Sequence, residues 1–150
     1  MRYVIFLLLL TITSVGIGQS RLDKFEPTYQ KSKSLVMAKN YTVNFTMVYD
    51  NSRREQINSN TNSISINQFN SSGRLASFSN RGIIFDFNGA ISNYKVNFDD
   101  NRKLINISYD LINNGKSKFI ELAIKPSGNV ILLLKKDSGK STSWIGNLAD

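Results

Sequence analysis

Few residues in this chain could do chemistry, and their spacing limits each group. Ser138-Gly139-Lys140-Ser141 has the ending of a phosphate-cradling loop. Such a loop needs a glycine five residues before Gly139, where Leu134 stands, and a helix after it, where a strand pattern runs. A turn is the simpler reading. Asp99-Asp100-Asn101 offers the hard oxygens calcium prefers, but the spaced acids and distal glutamate of a loop site are missing, so it reads as a β-turn. Asp86, Asp110 and Glu121 lie in strand-like runs and could pair across a sheet as acid and base of a hydrolase. Strand carboxylates more often face water or a lysine, and Lys95, Lys118 and Lys125 are at hand. Trp144, Tyr94 and Tyr109 are the candidate binding residues, an aromatic platform for a sugar, set against a packing role that would have Trp144 seal one end of the domain. Four Asn-x-Ser/Thr matches begin at Asn40, Asn44, Asn70 and Asn106, in a chain so rich in asparagine that chance matches are expected.

What is missing excludes more than these groups support. The chain has neither cysteine nor histidine. Without thiols there is no thiolate nucleophile, no disulfide, no sulfur-ligated metal and no lipid on an N-terminal cysteine. Without imidazole the usual general base near neutral pH and the commonest metal ligand are gone. The expectation is a protein that is not an enzyme and uses no cofactor or metal. Its 19 Lys and Arg against 11 Asp and Glu make it basic, but the charges are interspersed. Glu55 follows Arg53-Arg54, Asp99-Asp100 precede Arg102-Lys103, and Asp137 follows Lys135-Lys136. That is a solvated surface, not a nucleic-acid face.

The N-terminus sets the compartment. Arg2, the apolar run Tyr3 to Ile12 and the small residues of Gly16-Ile17-Gly18 have the layout of a secretory signal over residues 1–18. The run is too short for a comfortable membrane span. The expected product is periplasmic or secreted, with no stable membrane anchor after cleavage. Residues 19–40 form a lead-in, in which Glu26-Pro27 could open a short helix or the chain could stay extended. Residues 41–150 form a single β domain.

That domain is organised around Phe119 to Lys136. Pro126 and Gly128 supply a tight turn between two arms, Ile120, Leu122 and Ile124 on one and Val130 to Leu134 on the other. Arms apolar on both faces predict neighbours above and below. Period-two alternation begins at Tyr41 and runs to Tyr49. A polar tract, Asn58 to Asn62, precedes a strand over Ser63 to Phe69; Asn70-Ser71-Ser72-Gly73 reads as a turn before a weak strand from Arg74 to Ser79. Asn88-Gly89 is the strongest hairpin signal, between strands 82–87 and 90–98. Asp99-Asp100-Asn101 and Asn113-Asn114-Gly115 turn the chain on either side of Lys103 to Ile112, and Ser141 to Leu148 is the final strand. The fold class is therefore all-β: an antiparallel meander of about eight or nine strands, closed as a sandwich or a small barrel.

Several stretches in order resemble a bacterial envelope family. They are Gly82-Ile83-Ile84-Phe85, Gly89-Ala90-Ile91-Ser92-Asn93-Tyr94-Lys95-Val96, Pro126-Ser127-Gly128-Asn129-Val130 and Ser143-Trp144-Ile145-Gly146-Asn147-Leu148. Asn58 to Ile64 sits where such proteins carry a polar stretch before a strand. The family is domain of unknown function 4251, and the similarity spans about Ser34 to Leu148. It implies an exported, mostly β protein of Gram-negative bacteria and carries no catalytic residue. Many members have a lipoprotein cysteine that this chain lacks, which points to a soluble periplasmic protein. The leading expectation is a non-catalytic binding or structural module of the envelope, its partner an envelope protein or glycan. The alternative is a carrier of an apolar ligand, which needs a cavity of about 300 Å³ or more lined by residues such as Phe85, Tyr109 and Leu132. A hydrolase using Glu121 or Asp110 comes third.

Overall fold

The structure, a computed structural model, describes residues 22–50, 52–135 and 141–149. The expected signal over 1–18 and most of the Ser138–Ser141 turn lie outside the described residues. A helix, α1 (Glu26–Met37), precedes ten strands: β1 (Asn40–Tyr49), β2 (Arg54–Gln56), β3 (Ser63–Asn67), β4 (Asn70–Ala76), β5 (Ile84–Asp86), β6 (Gly89–Asp99), β7 (Leu104–Asn113), β8 (Lys116–Ile124), β9 (Asn129–Lys135) and β10 (Ser141–Leu148). Pro27 stands in the first turn of α1, where a missing N–H costs nothing, and Tyr29, Ser32 and Val36 form its buried stripe. The lead-in is thus helical.

Eight strands close a barrel. The sheet runs β10-β9-β8-β7-β6-β4-β3-β1, and β10 pairs back onto β1. The choice left open by the sequence, sandwich or barrel, falls to the barrel. Closure removes the sheet edges, and β2 and β5 extend it on β1 and β4. Bulges in β1 beyond Phe45 and in β6 beyond Ser92 add the local bend that closure needs. The alternation read from sequence faces inward as expected: Ile105, Ile107, Tyr109 and Leu111 from β7, Ile120, Leu122 and Ile124 from β8, and Val130, Leu132 and Leu134 from β9 are all buried. Lys95, Asn97 and Asn106 point outward, the reverse of a lipid-facing barrel.

Three sequence expectations are corrected. Asn88-Gly89 is not a hairpin. β5 and β6 both pair with β4 in one common register, Ala76↔Ile84 through Asn70↔Ala90, so they are a single interrupted strand. Phe87 N donates to Gly73 O, and Asn88 Oδ1 accepts from Gly73 N across the gap. Glycine is needed at 89 because Ile112 O lies 2.3 Å from where a Cβ would stand. Asn70-Ser71-Ser72-Gly73 is likewise strand, part of β4, and the turn sits two residues earlier at Gln68-Phe69, with Gln68 at φ +54°. The register of β4 against β3 overrides the local turn preference of these residues. The central hairpin, finally, has no second layer among the described residues. Its inward face fills the barrel, while Ile131 and Leu133 face out, half-buried.

The two ends are closed differently. At one, α1 is tied to the β6–β7 turn: Tyr29 OH donates to Asp100 Oδ1 at 2.6 Å, Lys33 Nζ reaches the same oxygen at 2.7 Å, and Lys103 pairs with Glu26. Toward the other, Trp144 packs edge-on against Phe85 and Phe87, and its indole N–H donates to Ala76 O at 2.8 Å.

Candidate functional site

The three aromatic candidates do not share a platform. Trp144 is wholly buried among Phe85 and Phe87. Tyr109 is also buried, and its ring stacks on Tyr94 at 6.2 Å. Of the three, only Tyr94 reaches the surface, and only in part. Its hydroxyl shares a 3.2 Å hydrogen bond with Tyr41 OH. Burial raises the pKa of Tyr41, Tyr94 and Tyr109, since a phenolate in an apolar interior would be poorly solvated. All three therefore act as neutral hydroxyls.

The strand carboxylates have different settings. Asp86 accepts from Asn88 N, Asn88 Nδ2 and Asn113 Nδ2. The Asn88 backbone N–H foremost holds it below its ordinary value, so it stays ionised and tied to the β7–β8 turn. Asp110 accepts from Asn93 Nδ2 at 2.7 Å on the outer wall. Glu121 also faces outward, from β8. Asp99 and Asp100 serve the turn and the helix tie, and Asp100 is lowered first by Lys33 and then by Tyr29.

The wall itself offers a site. β9 is apolar on both faces, and its outward Ile131 and Leu133 join Ala123 of β8 as the floor of a concavity of about 480 Å³. Lys95 and Asn97 of β6, Asn106 and Ser108 of β7, and Glu121 rim it. The alternation explains the arrangement. Inward Val96, Ile107 and Leu122 turn only backbone to this side, and small Ala123 and Ser108 leave the hollow between longer neighbours. The volume exceeds that set for a carrier, but the hollow is open, lies outside the barrel and is not lined by Phe85, Tyr109 or Leu132. The carrier reading therefore gains no support from it. The sequence signal for this site was present in Val130 to Leu134, five apolar residues where alternation should have put polar ones outside.

A closed eight-stranded antiparallel barrel with a helix against one end and a hollow on its outer wall defines the class of this protein. The sequence model of the family described as Domain of unknown function (DUF4251) matches residues 24–148, and the chain belongs to that family. The match takes in α1, which a resemblance beginning at Ser34 had left mostly outside. Among solved structures, a DUF4251 family protein from Bacteroides eggerthii DSM 20697 is similar, with a TM-score of 0.68 and 21% identity over 80% of this chain and 85% of that one. No curated protein matches the chain.

Proposed function

We propose that this protein is an exported, non-catalytic binding module of the bacterial envelope, and that it holds a partner protein on the outer wall of the barrel. The observation carrying this reading is the hollow floored by Ala123, Ile131 and Leu133. Apolar side chains on the outside of a water-soluble barrel gain by being covered. The rim of Lys95, Asn97, Asn106 and Ser108 provides donors and acceptors to orient what covers them. A protein suits this floor better than a glycan, because among the described residues no aromatic ring lines it for a sugar to stack on. Export rests on the leader-like residues 1–18, and the lack of catalysis on the missing histidine and cysteine.

The test is site-specific photo-crosslinking in intact cells, with a benzophenone amino acid at position 133 and, as control, at exposed position 116. The reading requires a discrete adduct from 133 in the envelope fraction, absent from 116 and abolished by Ile131→Glu. Equal labelling from both positions, or recovery of the chain only in the cytoplasm, would overturn it.

A further inference from the structure

We propose that Arg53 and Arg81, both resting on the buried ring of Phe78, form a binding site for a phosphate monoester at the end of the barrel away from α1. Phe78 is 0% exposed. The Arg53 guanidinium lies 4.2 Å from its ring centre, and that of Arg81 lies 5.2 Å from the same centre. Contact with a ring face orients a guanidinium and leaves the N–H groups along its edge to point elsewhere. The two backbones are fixed as well. Arg53 N donates to Asp50 Oδ1 at 3.1 Å, Arg53 O accepts from Asp50 N at 3.0 Å, and Arg81 N donates to Phe78 O at 2.9 Å. Two forks are thus set before any ligand arrives, which lowers the ordering cost of binding.

The charges around the pair leave it unbalanced. Arg81 reaches Asp50 Oδ2 at 3.4 Å, a long contact that leaves most of its donors unused. Oδ1 of the same carboxylate is taken up by its own turn, through Ser52 N, Ser52 Oγ and Arg53 N. Glu55 holds Ser79 N with both oxygens, at 3.0 and 3.2 Å. With Arg54 on β2, the group has three arginines against these two acids. Among the described residues no oxygen accepts from the Arg53 guanidinium. Two like charges on one ring repel, and an anion within reach of both offsets that repulsion. The arrangement also selects the ligand. A carboxylate has two oxygens and uses both on one fork, whereas a phosphate monoester presents three and can engage two forks. None of these residues lines the hollow on the outer wall, so the phosphate site is independent of the partner proposed there.

The test is NMR titration of the intact chain with glycerol 3-phosphate, read at the arginine Nε–Hε signals, against sodium chloride at equal ionic strength. The site predicts that the Arg53 and Arg81 signals move together and saturate with the phosphate, while chloride leaves them in place. Arg53→Lys keeps the charge but loses the fork, and should weaken binding by at least about tenfold. Lys125→Met lowers the net charge at the α1 end and should leave the affinity within about twofold, since screening confines a distant charge. Sedimentation with phosphatidylcholine vesicles containing phosphatidic acid separates the sources. Tighter binding there than to glycerol 3-phosphate assigns a lipid head group, and equal or weaker binding assigns a soluble phosphoester. Shifts that never saturate, that chloride reproduces, or that Arg53→Lys leaves undiminished would overturn the site.

Discussion

The chain contains Asn-Gly on either side of β6 and β7, and the two copies do unrelated work. Asn114-Gly115 joins β7 to β8 with both residues at positive φ, +50° and +73°, directly between the paired Asn113 and Lys116. That is the two-residue hairpin the dipeptide favours. Asn88-Gly89 lies inside a strand line, where the asparagine bridges a gap to Gly73 and the glycine makes room for the Ile112 carbonyl. The same contrast separates the two walls. From β6 to β9 the strands are long and, the β6 bulge apart, carry regular alternation, so local pattern suffices. From β3 to β5 the strands are short, and closure depends on contacts between distant residues: Asn62 Oδ1 accepting from Ala76 N, Trp144 bonding Ala76 O, and Phe87 bonding Gly73 O. A wall of ladders tolerates local change, whereas a wall of single contacts does not.

Substitutions can break this contrast. Gly89→Ala should have the largest effect, about 4 kcal/mol by chemical denaturation, because a methyl there meets backbone and two strands must part. A loss under about 1 kcal/mol would show that the seam has slack. Next comes Leu122→Ala, which should cost about 3 kcal/mol through lost burial and a residual cavity, without altering the β7–β8 register seen by NMR. Trp144→Phe keeps the ring but leaves Ala76 O without its donor, and about 2 kcal/mol should be lost, with the 77–87 segment exchanging faster than β8. At Gly115 nothing stands near the position of a Cβ, so alanine pays only for its left-handed φ, about 1 kcal/mol.

Acid should produce the smallest change, at the tie between the helix and the barrel. Lys33 and Tyr29 lower the Asp100 pKa from an ordinary 3.8. With the folded value below the unfolded one, the contribution is complete above the unfolded pKa and is lost as pH falls through the folded one. Exchange at α1 should therefore rise below about pH 4 before β8 responds. Asp100→Asn should remove that part of the acid response while leaving the parts due to Asp50, Asp86 and Glu26, whose pKa values are also lowered. An identical acid profile in the variant would place the tie elsewhere. At the alkaline end the sign reverses. Tyr29, Tyr41 and Tyr109 are raised above an ordinary 10.0, chiefly by burial, so they stabilise fully below that pH and progressively less above it.

What the sequence by itself determined was whatever depends on neighbours along the chain. Period-two apolar residues assigned the inward faces of β1, β7, β8 and β9, and Pro126 with Gly128 and Asn114 with Gly115 marked true turns, while Glu26-Pro27 left a short helix and an extended lead-in both open. The hollow on the outer wall was half legible, in a strand too apolar for its outward face. Closure onto β10, the burial of Trp144, the absorption of Asn70–Gly73 into β4 and the purpose of Gly89 were decided by tertiary structure. The reason is that a side chain's direction within a strand follows from local geometry, while its partner across a seam follows from where a distant strand comes to rest. No window along the chain contains both.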